Sequence, residues 1–246
     1  MQLGQIPDAP LLVAYSGGKD SLAVLDLCVR AGRHVEAFLM YFVPGMDYTQ
    51  YWVDYAQKRW GVKVHLYQHF TISYFIRRGV FRSAPDASFP LITVEDVIAK
   101  AREDAGIEWV GFGYKLIDSL QRRGWWKRHA ETGCDASSKR FSPLLHWNNT
   151  HVKAYLSRRG IPCPGIDGKR STGMALTPDC MEWLRDQWPD DYRRVLRIFP
   201  LAEAQADRAP GIRERKLRER TERQAIARQA RVAQRDQSGA VQPPVD

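Results

Sequence analysis

Six consecutive residues, Ser16, Gly17, Gly18, Lys19, Asp20 and Ser21, bring two hydroxyls, two glycines and an ammonium group into one short turn. Leu11, Leu12 and Val13 before them form an apolar stretch suited to a buried strand. Leu22, Leu25 and Val29 after them share one face of a helix. A strand, a glycine turn and a helix start leave several backbone N–H groups free around one point, and the helix dipole adds about half a positive charge there. Gly17 and Gly18 permit positive φ and close backbone approach. The chemistry this arrangement offers is binding of a phosphate or sulfate. A Gly-Gly pair alone would read as an ordinary turn; the full hexapeptide between a strand and a helix favours an anion receptor. It is not a Walker A loop, because Lys19 is followed by Asp20 rather than Ser or Thr, and no third glycine falls where a dinucleotide fingerprint needs one.

A second constellation lies in Gly111 to Lys127. Gly113 lies near the end of a strand-like stretch and Lys115 follows it, Asp118 and Ser119 open a helical turn, and Arg122 and Arg123 come next. Such cations form charge-assisted bonds to phosphate oxygens; the alternative is a solvated basic face. Cys134 sits among basic residues in ETGCDASSKR, so it is a candidate nucleophile of lowered pKa, with a plain loop thiol as the alternative. Cys134, Cys163 and Cys180 match no familiar iron–sulfur ligand run, which argues against a cluster. Cys28 falls on an apolar helix face and reads as core. Ser171, Thr172 and Gly173 offer a second anion nest or a simple turn.

The elements that must hold these residues alternate in type. Helix one runs to Gly32, and His34 to Phe42 reads as strand two. Asp47 and Gln50 suggest a capping box for a helix carried by Tyr51, Trp52, Tyr55 and Ala56 and ended by Gly61. Val62, Val64 and Leu66 alternate as strand three. Phe70 to Pro90 reads as irregular, with Arg77, Arg78 and Arg82 in it. Thr93 and Asp96 cap a helix closed near Gly106, and Glu108 to Tyr114 is strand four. The expected fold is therefore α/β: a doubly wound, mostly parallel sheet with helices on both faces and a more helical C-terminal part. Ligands in such sheets bind beyond the carboxyl ends of strands, where Ser16–Ser21, Tyr41, Phe42, Tyr114 and Lys115 would lie.

SGGKDS resembles the PP-loop of the ATP pyrophosphatase and phosphoadenosine phosphosulfate (PAPS) reductase superfamily. Phe141 to Pro162, with Pro143, Trp147, Val152, Tyr155, Ile161 and Pro162, resembles the C-terminal half of the PAPS reductase family, in a compact form like those of bacteriophages. The resemblance implies an adenine nucleotide alpha hydrolase-like fold over residues 1–200, followed by a basic helical tail with a disordered end at 201–246. It implies ATP with its phosphates on Ser16–Ser21 and its adenine near Tyr41 and Phe42. A second substrate would attack the α-phosphate, with Lys19 stabilising charge, Asp20 holding Mg²⁺, and Lys115, Arg122 and Arg123 holding pyrophosphate. The alternatives are a thiol-dependent PAPS or adenylylsulfate reductase, whose Glu-Cys-Gly-Leu-His-like segment has no match here, and a non-catalytic nucleotide-sensing or nucleic-acid-associated module.

Length and composition agree with a globular domain: 246 residues, 44% hydrophobic. The net charge is +9, and Arg208 to Arg235 holds ten Lys or Arg against three acids, leaving little excess elsewhere. That tail is the place to look for a protein or nucleic-acid partner. The opening MQLGQIPDAP lacks the pattern of a secretory signal and no apolar run reaches membrane length, so a cytoplasmic protein with no membrane contact is expected, its oligomeric state open.

Overall fold

The computed structural model describes residues 6–118, 124, 126–129, 131–163, 176–212, 214–215, 218–219 and 221–222. Ser119, Arg122, Arg123, Ser171–Gly173 and most of the expected basic tail lie outside the described residues.

The sheet has six strands: β1 (Leu11–Ala14), β2 (Val35–Tyr41), β3 (Val64–Gln68), β4 (Trp109–Gly111), β5 (Cys134–Asp135) and β6 (Arg140–Phe141), in the order β3-β2-β1-β4-β6-β5. All pairings are parallel except β5 with β6. Leu11, Leu12 and Val13 are fully buried because β1 is central and covered on both faces, which is why it reads as an unbroken apolar run. Helices α1 (Lys19–Arg30) and α2 (Asp47–Trp60) pack on one face with the large core. Helix α4 (Val94–Ala105) covers the other face through Val97, Ile98 and Ala101, against Leu12, Phe38 and Val110. Three more helices, α5 (Asn149–Arg158), α6 (Pro178–Gln187) and α7 (Pro189–Ile198), join the larger core through Val152, Leu184 and Val195. The chain runs β1 to β2 to β3 in one direction and then places β4 on the far side of β1. The switch point therefore lies at the carboxyl ends of β1 and β4, where open α/β sheets bind ligands.

Several expectations are corrected. Phe70 to Pro90 is not irregular throughout: Phe70–Arg78 is a helix, α3, capped by His69, whose ring nitrogen Nδ1 accepts the Thr71 N–H at 3.2 Å. The Asp47/Gln50 capping box does not form. Met46 is the N-cap, and the first amides of α2 are held by Asp191 of α7, whose carboxylate accepts the N–H groups of Asp47 and Tyr48 at 2.8 Å each. Cys134 is not in a loop but on β5, hydrogen-bonded into a hairpin with β6. Beyond residue 200, Ala202, Ala206 and Ala209 are buried. Among the described residues, no helix is long and apolar enough to cross a membrane.

Candidate functional site

The loop between β1 and α1 takes its shape from its own hydroxyls. Ser21 Oγ donates to the Gly18 carbonyl at 2.9 Å and accepts the Ser16 N–H at 3.1 Å, while Ser16 Oγ accepts the Gly18 N–H at 3.4 Å. The Ser21 hydroxyl proton is thus committed to fixing the loop. What the turn offers a ligand is backbone: the amides of Lys19, Asp20 and Ser21 are the first turn of α1, which has no intrahelical acceptor for them, and the N-cap, Gly18, has no side chain to cap them.

The two glycines differ. Gly17 has φ +68°, the left-handed region, and a Cβ there would lie 2.5 Å from Cγ of Trp52. Gly18 is extended at φ −80° and does not use the freedom expected of it. Trp52 is buried in α2 and its carbonyl accepts the Tyr15 hydroxyl at 3.0 Å, so the indole backs the loop as a fixed wall.

Asp20 is the centre of charge. Its Oδ2 lies 3.0 Å from Nζ of Lys19 and 2.8 Å from Nζ of Lys115, and the Lys115 ammonium also lies 3.4 Å from Asp118 Oδ1. Lys115 is 2% exposed, and a buried ammonium persists only when paired in this way. Asp118 Oδ2 accepts the Lys115 N–H at 3.1 Å, which folds the turn after β4 toward the loop. Gly113 packs on Asp20: a Cβ there would be 2.9 Å from the Asp20 Cβ. The sequence-predicted residues Ser16–Ser21, Gly113, Lys115 and Asp118 are thus one cluster at the switch point.

An open cleft of about 500 Å³ faces this cluster, lined by Ser16, Asp20, Gly113 and Asp118 together with Met40, His69 and Phe70. A smaller cavity of about 130 Å³, bounded by Met40, Thr49, Trp52 and His69, adjoins it. The larger cleft is of the size that small-molecule sites take, and the smaller one is not by itself. Tyr41 and Phe42 are not on these walls. Tyr41 is the last residue of β2, and Phe42 is 4% exposed, its ring centroid 4.7 Å from that of His69 and 6.3 Å from that of Phe75. Met40, one residue earlier in the strand, faces the cleft instead.

His69 is the residue that sequence reasoning missed. Its ring lies between Phe42 and Phe70, 4.7 and 4.5 Å away, and burial pushes its pKa down to about 4. Since Nδ1 accepts the Thr71 N–H, the neutral ring carries its proton on Nε2. The available signal was position: a histidine immediately after a strand, at the carboxyl edge of the sheet.

Cys134 does not behave as an activated thiol. It is half-buried, and burial raises its pKa rather than lowering it. Cys28 and Cys180 are buried, and burial pushes both thiols up, Cys180 to about 12. Among the described residues no group of three or more His, Cys, Asp or Glu is arranged to hold a metal ion. The carboxylate oxygen Asp20 Oδ1 is nonetheless buried with no hydrogen-bond partner among the described residues. A carboxylate oxygen of this kind is chemically suited to be one ligand of a Mg²⁺ ion.

No family model matches the chain. Among solved structures it is similar to the U34-tRNA thiolase NcsA from Methanococcus maripaludis with its [4Fe-4S] cluster (15% identity, 82% of this chain and 74% of that one, TM-score 0.42). Another is the predicted subunit of a tRNA methyltransferase from Methanocaldococcus jannaschii (14% identity, 62% and 89%, TM-score 0.34). Among curated proteins, the chain is 24% identical over 204 residues to the tRNA(Ile)-lysidine synthase of Bdellovibrio bacteriovorus, a match covering 80% of this chain and 61% of that enzyme's length. None of these three proteins is named as a PAPS reductase.

Proposed function

We propose that the chain binds ATP at the switch point and transfers its adenylyl group to an acceptor, with release of pyrophosphate. The observation that carries this reading is the convergence of the Lys19–Ser21 amides and the Asp20–Lys115–Asp118 ion cluster on one cleft. The acceptor oxygen attacks the α-phosphorus, whose bond to the bridging oxygen breaks, and pyrophosphate leaves with that oxygen. The α1 amides lie where charge accumulates on the phosphoryl oxygens, and preorganised donors of this kind stabilise a transition state without reorganising. Lys19 and Lys115 can turn from Asp20 to phosphate oxygens, since both already meet at one carboxylate oxygen. Mg²⁺, when bound through Asp20 and the phosphates, neutralises charge on the triphosphate. The base lies against Met40 and His69. Arg122 and Arg123 stay in this proposal as further pyrophosphate ligands.

The acceptor we propose is an RNA, on the strength of the curated relative's name. The thiol-dependent reductase reading finds no support in Cys28, Cys134 or Cys180, whose thiols are all held above their ordinary pKa. The test is calorimetric titration with ATP and with inorganic tripolyphosphate, followed by incubation with α-labelled ATP, Mg²⁺ and bulk tRNA. Binding of both anions, their loss in Lys19→Ala, and RNA-dependent pyrophosphate release are the expected results. Full affinity in Lys19→Ala, or sulfite from PAPS and a thioredoxin system instead of pyrophosphate from ATP, overturns the proposal.

A further inference from the structure

Helix α3 begins at the cleft and leads away from it. His69 and Phe70 form part of the cleft wall. Tyr74 and Arg78 follow Phe70 at intervals of four residues, so the three share one side of the helix over about 12 Å. Tyr74 is 49% exposed, and the guanidinium of Arg78 sits 5.8 Å from its ring centroid. Arg82 lies in the turn that follows, and the Arg77 guanidinium donates to the Phe89 carbonyl at 2.9 Å. Residues 70–85 contain no acid, and among the described residues none of Arg77, Arg78 or Arg82 has a carboxylate within ion-pair distance, although Asp86 stands near enough to Arg82 for the guanidinium to help lower its carboxyl pKa. The Leu201 N–H donates to the Phe81 carbonyl at 3.0 Å, so the start of the arginine-rich C-terminal segment stands beside Arg82.

An exposed ring with a cation against it, followed by arginines outside ion-pair distance of any described carboxylate, suits a ligand with flat faces and spaced negative charges. We infer that the outer side of α3 is a track for single-stranded nucleic acid, with an unpaired base stacked on Tyr74 and phosphates at Arg78 and Arg82, leading the strand to the cleft at Phe70. The inference rests on the reading of the cleft as a nucleotide site only for what lies at the end of the track. Stacking on an aromatic ring tolerates any base, and phosphate contacts bring dependence on salt. A duplex keeps its base faces to itself, so the track discriminates by strandedness.

The test is fluorescence anisotropy of a labelled oligouridylate and a duplex RNA of equal length, from about 50 to 200 mM salt. Tyr74→Ala is expected to weaken single-strand binding about tenfold, with Tyr74→Phe close to the unaltered protein. Arg82→Ala is expected to lower the salt slope by about 0.7, one single-strand phosphate. ATP titration of the same variants should be unchanged. Equal binding by Tyr74→Ala and the unaltered protein, equal affinity for duplex, or preference for polyglutamate over RNA overturns the track. Loss of ATP binding by the unaltered protein would instead overturn the cleft assignment and leave the track standing.

Discussion

Replacing Gly17 with alanine should damage the β1–α1 loop through two separable costs. The first is conformational: at φ +68° an L-residue pays about 1–2 kcal/mol. The second is steric, because the new Cβ would lie 2.5 Å from Cγ, 2.7 Å from Cδ1 and 2.9 Å from Cδ2 of Trp52, the body of a ring that is 4% exposed and has little room to retreat. Overpacking of this kind costs about 1–3 kcal/mol. Gly32 supplies the control: its φ is +70°, yet a Cβ there meets nothing within 4 Å. Gly32→Ala should therefore show the conformational cost alone. At about 2–4 °C per kcal/mol for a domain of this size, Gly17→Ala should lower the melting temperature by roughly 10 °C and Gly32→Ala by roughly 4 °C. The loop variant should also lose affinity for inorganic tripolyphosphate, since relief of the clash moves the α1 amides. In a Trp52→Leu background the excess cost of Gly17→Ala should shrink toward that of Gly32→Ala. The measurements are thermal unfolding by circular dichroism and calorimetric titration. Equal costs at the two glycines in the unaltered protein would refute the claim that the indole sets the loop's shape.

Asp26, 1% exposed, accepts from Trp60 Nε1 at 3.0 Å, Tyr155 OH at 2.5 Å and Arg159 Nε at 2.9 Å, tying α1 to α2 and α5. Burial alone would raise its pKa, but these bonds hold it below the ordinary carboxylate value, so its contribution is present above about pH 4 and lost as pH falls through the lowered value. Asp26→Asn should cost about 2–3 kcal/mol at pH 7 in urea unfolding and flatten the acid limb of the stability profile. His69 has the opposite proton balance: burial holds its folded pKa near 4, so the unfolded chain binds the proton first and stability declines as pH drops from about 6.5 toward 4. Between pH 7 and pH 5 that loss should be about 2 kcal/mol, and His69→Gln should remove it. Cys134→Ser should keep pyrophosphate release intact, and alkylation should label exposed Cys163 well before Cys134.

The β1–α1 turn and its flanks were legible because their signals are local: an apolar triplet, a glycine turn and a helical repeat within about twenty residues of chain. The helix opened by Thr93 and Asp96 formed as read, and its start is a capping box with both reciprocal bonds present. Helix α3 was not legible, since FTISYFIRR carries β-branched and aromatic residues on several sides and its cap is a histidine ring rather than a hydroxyl or carboxylate. Strands β5 and β6 have two residues each, too few for any periodicity, and exist because β4 offers β6 an edge. The Asp20–Lys115 contact joins residues far apart in sequence, and only the strand order, with β4 beside β1, brings them together. The wall of the cleft was misplaced by one residue in β2, which in a strand exchanges one face for the other.

Asp191 gives the molecule an uneven division of labour. Its carboxylate, fully enclosed and braced by Arg194 at 2.6 Å, terminates a helix contributed by the opposite half of the polypeptide. That helix supplies the indole behind Gly17. Excising the C-terminal helices would therefore strip the nucleotide-facing turn of its rear support, and the first hundred-odd residues should not serve as a portable ATP module despite containing the whole motif. In an evolving lineage, drift near Asp191 would be felt at the β1–α1 turn, more than 140 residues of chain away.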